Sequence, residues 1–228
     1  PVFIISPSSR GIDPRSQFVL GFYQISTFSE ESAYQYFKNS ADRGFIPAQI
    51  CVADILLSDT NPYNVPKNID EAIQILQSIP IEKRVAKVAI RLSDALLEKN
   101  NPIEARTTLE ESANAYPIVK LKLAKMISPI CNKNAKDEDA ETAVKYLEAL
   151  ANEYMPEAMK ILSMHLAKGK GVTKNLERAI SLEKAAHELD PSISIDLNDN
   201  SVIKNLSIVG AASILVIGAF LFSNHRRK

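Results

Sequence analysis

Five times along the chain an aliphatic residue is followed directly by a small one: Leu20 and Gly21, Val52 and Ala53, Leu92 and Ser93, Leu123 and Ala124, Leu162 and Ser163. The small positions are separated by 32, 40, 31 and 39 residues. After each such pair an alanine opens a second packed face, at Ala33, Ala72, Ala105, Ala143 and Ala179. In four of the five cases another alanine follows seven or eight residues on, at Ala41, Ala113, Ala151 and Ala186. This pattern predicts five pairs of antiparallel helices, because two helices approach closely only where both present small side chains. Phe18, Tyr34 and Phe37 in the first unit, and Leu121, Tyr146 and Leu147 in the fourth, fill the flanks of the contact. One pair cannot bury its whole apolar face, so neighbours must stack to complete a continuous core.

The breaks between helices are as regular as the faces. Gly44 and Pro47 close the first unit, Pro62 and Pro66 interrupt the second, and Pro117 and Pro156 fall between units. Asn101 followed by Pro102 places a capping side chain and a proline at a helix start. The unequal spacings put extra residues in two loops inside units, 58–67 and 132–139. Residues 65–73 and 172–180 share the pattern V-x-K-N-(I/L)-(D/E)-x-A-I, 107 positions apart, about three units of 36. Scarce glycine, absent tryptophan and abundant Ala, Leu, Ile, Glu and Lys favour helix over sheet.

The fifth unit carries a family likeness most clearly, with Ala158, Leu162 and Ser163, then Gly169, Gly171 and Val172, then Ala179, Ile180, Ala185 and Ala186. The first unit adds Leu20, Gly21, Phe22 and Tyr23, and Ser40, Ala41, Asp42, Arg43 and Gly44. These residues resemble the Sel1-like repeat family, a branch of the tetratricopeptide-like solenoids, over residues 13–189. The third and fourth units lack the G-x-G-V turn. The resemblance implies an all-α chain wound as a right-handed α-α superhelix of about five helix pairs. It also implies an adaptor or assembly factor that binds other proteins, as family members usually are, membrane-anchored quality-control subunits among them. It says little about activity.

Residues 206–222 change the picture, since this run of 17 carries no charge. As a helix it is about 25 Å long, at the short end for a hydrocarbon layer of about 30 Å. Lys204 before it and the basic tail of Arg226, Arg227 and Lys228 after it suit the two membrane surfaces. The run is expected to be a single membrane span from Leu206 to Phe222, with Gly210, Ala211 and Gly218 on a side that another helix could approach. The expected organisation is an N-terminal extension over 1–13, helix pairs over 14–190, a juxtamembrane linker over 191–205, the span over 206–222 and a tail over 223–228. The chain starts at Pro1 without an initiator methionine, so a removed targeting peptide or omitted residues are expected before it. Two topologies fit: a tail anchor with the repeats in the cytosol, or repeats carried across a membrane by a removed leader. A mitochondrial membrane, outer or inner, is favoured. The endoplasmic reticulum is the alternative, weakened because the one N-x-(S/T) sequon begins at Asn205, at the edge of the span.

Charge excludes more than it suggests. Lys and Arg number 27 against 27 for Asp and Glu, so nothing points to nucleic acid. Cys51 and Cys131 form no C-x-x-C pair and read as buried structural thiols. No nucleophile and base are paired at His165, His187 or His225, so no catalytic residue, metal ligand, cofactor or small-molecule substrate is expected. His165 shares a register position with Tyr23, Ile55, Ala95 and Met126, a column expected to face the core, while His187 suits the C-terminal carbonyls of the last helix. Residues 169–171 read as a turn and 136–141 as a solvated loop entering a helix.

The variable positions on the first helices are the candidate site. One residue past each small position stand Phe22, Asp54, Asp94, Lys125 and Met164; two before it stand Val19, Cys51, Arg91, Lys122 and Ile161. These columns lie side by side on a helix. In tetratricopeptide-like solenoids the first helices line the concave surface, so Phe22, Asp54, Arg91, Asp94, Lys122 and Lys125 are expected to form a mixed-charge groove for a protein partner. The expected function is a membrane-tethered adaptor or assembly factor, and the alternative is an accessory subunit held mainly through its span.

Overall fold

The computed structural model describes Gly11, residues 13–27 and residues 30–197. Among these are ten α-helices and no strand: α1 (Pro14–Thr27), α2 (Glu30–Asp42), α3 (Ile46–Leu57), α4 (Ile69–Gln77), α5 (Ala86–Glu98), α6 (Pro102–Ala113), α7 (Pro117–Ile127), α8 (Ala140–Asn152), α9 (Pro156–Lys168) and α10 (Leu176–Leu189). Single 3-10 turns at Ile81–Lys83 and Asp137–Asp139 lead into α5 and α8. The chain divides into two compact units, Pro1–Leu123 and Ala124–Lys228.

In the first unit each helix packs on the next from α1 to α6, and α3 also touches α5. In the second, α8 packs on α9 and α9 on α10. The small positions are where the sequence pattern placed them: Ala33, Ala53, Ala72, Ser93 and Ala105, then Ala124, Ala143, Ser163 and Ala179, are all fully buried. Gly21 shows why small residues are needed, because a Cβ there would stand 2.4 Å from Cε1 of Phe37. Around these contacts Val52, Leu92, Leu123 and Leu162 are buried, as are Phe37, Leu76, Leu109 and Leu147 on the second helices.

In three of the helix pairs the turn between the helices is built from one asparagine used twice. The backbone N–H of Asn68 donates to Leu56 O (2.9 Å), that of Asn101 to Leu96 O (2.8 Å) and that of Asn175 to Leu166 O (3.0 Å). Leu56, Leu96 and Leu166 each lie three residues past the small position, so all three bonds join equivalent places. The same asparagines then cap the second helix. Their side chains accept from the backbone N–H of Glu71, Glu104 and Arg178, which leaves one fewer unpaired donor at each helix start. The repeated V-x-K-N pattern is this turn. In the fifth helix pair Gly169 and Gly171 adopt φ of +69° and +70° before Asn175. A Cβ on Gly171 would sit 2.4 Å from the carbonyl of Ala140, so only glycine lets the turn lie against the start of α8.

Tyr23 departs from the expected core column: it is 57% exposed, whereas Ile55, Ala95 and His165 are buried. No helix pair precedes α1 among the described residues, so nothing there covers that side. The cysteines depart too. Both are free, Cys51 half-buried and Cys131 exposed in the loop after α7.

Candidate partner-binding face

The two columns on the first helices do lie next to each other, but their charges are spoken for. Asp54 on α3 pairs with Lys87 Nζ (2.6 Å) and Arg91 Nε (2.8 Å) on α5. The Arg91 approach is an ion pair too bent for a hydrogen bond, since Asp54 Oδ1 has no hydrogen-bond partner. Asp94 on α5 pairs with Lys122 on α7 (2.6 Å), and in the second unit Lys125 on α7 pairs with Glu157 on α9 (2.6 Å). Successive first helices are thus joined by a ladder of ion pairs, each rung running from the residue after a small position to the next first helix.

Lys87 and Glu157 were not among the residues singled out from sequence. Both stand six positions before their small residue, and their signs are reversed together with those of their partners. Asp54 faces Lys87 in one junction and Lys125 faces Glu157 in another. That exchange is visible in the sequence once the register is fixed, and it marks the ladder as a property of the repeat. The expected open mixed-charge groove is therefore a set of intramolecular pairs, half-buried at Asp54 and Lys122 and more exposed at Asp94 and Lys125. Ile161 is buried in the fifth unit, so the column does not stay on the surface there.

The first junction has no rung. Phe22 takes the place of an acid and Pro47 that of Lys87. Phe22 is 51% exposed, with Val19 and Tyr23 exposed beside it. Its ring packs edge-on against Phe18 (centroids 5.0 Å) and Phe37 (5.0 Å). A cavity of about 440 Å³ opens here, walled by Phe18, Phe22, Ile50, Cys51 and Tyr63 with Asp54 at its side. Burial pushes the Cys51 thiol up to about 11, so it serves as wall rather than nucleophile.

His165 is fully buried and structural. Its Nδ1 lies 2.7 Å from Lys170 O, which can only accept, so that nitrogen carries the proton and Nε2 accepts from Ser128 Oγ at 2.8 Å. His187 Nδ1 donates to Ile193 O (2.7 Å), a carbonyl beyond the helix rather than one of the helix's own last carbonyls. Among the described residues no three His, Cys, Asp or Glu side chains gather closely enough to hold a metal ion, and no helix is long and apolar enough to cross a membrane. Leu206, Gly210, Ala211, Gly218, Phe222, Arg226, Arg227 and Lys228 lie outside the described residues.

Stacked antiparallel pairs, closed by small residues and bridged along their first helices, define an α-helical repeat protein. Two solved structures give the kind of repeat. The crystal structure of a Sel1 repeat protein from Oxalobacter formigenes is similar at a TM-score of 0.63 and 22% identity, over 77% of this chain and 73% of that one. A protective antigen present in uropathogenic Escherichia coli strains, displaying an SLR fold, is similar at 0.59 and 21% identity, over 77% of this chain and 38% of that one. The fold is that of the Sel1-like repeat. No protein-family model matches the chain, and no curated protein matches it.

Proposed function

We propose that the chain is a membrane-tethered adaptor or assembly factor whose first-helix face binds a partner protein. The observation that carries this reading is the first junction. There the ion-pair ladder gives way to exposed Val19, Phe22 and Tyr23 beside an aromatic-walled cavity. An apolar anchor set beside a line of charged residues is the composition of a protein-binding hot spot with a polar rim. The mechanism is binding, and it needs no catalytic group.

The tether rests on residues 206–222 and the basic residues that follow them. Held at a bilayer, the adaptor and a membrane-bound partner would meet at raised effective concentration without any further contact. We favour a mitochondrial membrane. The test is Val19→Asp, a change at a 64% exposed side chain that leaves the packed rings in place. Partners captured by the wild type from detergent-solubilised membranes should be lost with this variant while its helix content is unchanged. Undiminished capture would overturn the reading.

A further inference from the structure

The register that defines the repeat also shows where it stops. Three residues before the small position the first helices carry Phe18, Ile50, Ile90 and Leu121, and then Lys160. Four residues after the alanines that open the second-helix faces, Ala33, Ala72, Ala105, Ala143 and Ala179, stand Phe37, Leu76, Leu109 and Leu147, and then Glu183. In the first unit the two positions touch each other and face the pair that follows. The ring of Phe18 meets those of Phe37 and Phe45 (centroids 5.5 Å in both cases), and Phe37 meets Tyr63 (6.1 Å). They are the stacking surface. In the fifth unit the same two positions form an ion pair, Lys160 with Glu183, and Glu183 is 1% exposed.

Residues after α10 complete that pair. Lys160 Nζ donates to Ser194 O (2.8 Å) and to Asp196 Oδ2 (2.8 Å) as well as to Glu183, so its three protons are all used. The backbone N–H of Leu197 donates to the other Glu183 oxygen, Oε2, at 2.6 Å. His187 Nδ1 holds Ile193 O from α10. Beyond the bond that Lys160 and Glu183 make to each other, the remaining protons of Lys160 and the second oxygen of Glu183 thus find their partners in residues 194–197.

The geometry points to a built-in end cap: residues 193–197 are a strap over the surface that a sixth helix pair would cover, and Lys160 with Glu183 is the latch that favours the strap over another apolar pair. A terminal repeat with a polar outer face is what a stack requires to stop. A buried charge pair is costly unless every hydrogen bond is made, and here only the strap makes them. The device closes the outer side of the fifth helix pair to a further copy of the repeat.

Amide hydrogen exchange on the full chain in detergent tests this, read at Leu197 and across α9 and α10. In the wild type the Leu197 amide should be protected. Asp196→Asn, a change at an exposed strap residue, should speed its exchange several-fold with α9 and α10 unchanged. Lys160→Ile with Glu183→Leu, which restores the apolar register, should keep the helix content, abolish protection at Leu197 and produce concentration-dependent self-association. A Leu197 amide that is unprotected in the wild type, or that stays protected in the double variant, would overturn the proposal.

Discussion

His165 is the residue whose surroundings make the sharpest solution prediction. Burial lowers its pKa from the ordinary value, and the bond to the Lys170 carbonyl only partly opposes this. A second proton on Nε2 would point at Ser128 Oγ, which already accepts from the amides of Ile130 (3.2 Å) and Cys131 (3.3 Å). The unfolded chain takes up the proton near pH 6.5 and the folded chain does not, so the folded state is favoured fully above that pH. Stability then falls as pH drops from about 6.5 through the depressed folded value. Urea unfolding at pH 7.5 and pH 5 should show a larger loss for the wild type than for His165→Gln. Equal losses would remove His165 as the cause. Gly171 gives a second test. A Cβ there meets the Ala140 backbone at 2.4 Å and φ is +70°, so Gly171→Ala should lower the unfolding free energy, read by urea titration, by about 1–3 kcal/mol.

At the scale of elements the ladder is the main result. Its rungs are partly exposed, so each is worth no more than about 1 kcal/mol. A double-mutant cycle on Asp94 and Lys122 should give a coupling of that size that shrinks with added salt, and the exchanged pair Asp94→Lys with Lys122→Asp should restore it. No coupling at low salt would make the rung incidental. The helices themselves were legible because packing leaves a trace in every unit: a small residue where backbones meet, and a proline or asparagine at the start of most helices, though not of α5 or α8. Asn68, Asn101 and Asn175 are part of that trace, and Asn175→Ala should cost about 1 kcal/mol. The ladder was less legible. Asp54, Arg91, Asp94 and Lys122 could be placed on one face, but a column of charges does not say whether they meet a partner or each other. That depends on the distance between neighbouring first helices, which a single helix pattern does not contain. The exposure of Tyr23 was missed because a register treats the first unit like the rest, although nothing among the described residues stacks before it.

For the whole molecule the question is how the repeats are used. Leu197 is the last described residue of the strap and the apolar run starts at Leu206, nine residues on, a span of at most about 32 Å. If residues 206–222 only anchor, replacing them with an unrelated span of similar length should preserve function. If the chain is an accessory subunit held by that span, the replacement should abolish it. The protein is expected to resist alkaline carbonate extraction from membranes.

Photo-cross-linking from the first-helix face in intact membranes, at the Val19, Arg91 and Lys125 positions, with the outer second-helix positions Glu110 and Lys145 as controls, tests the binding claim most directly. A partner protein joined from the first-helix positions, most strongly at Val19, and not from the controls is the result expected. Adducts confined to the second-helix positions, or none at Val19, would contradict it.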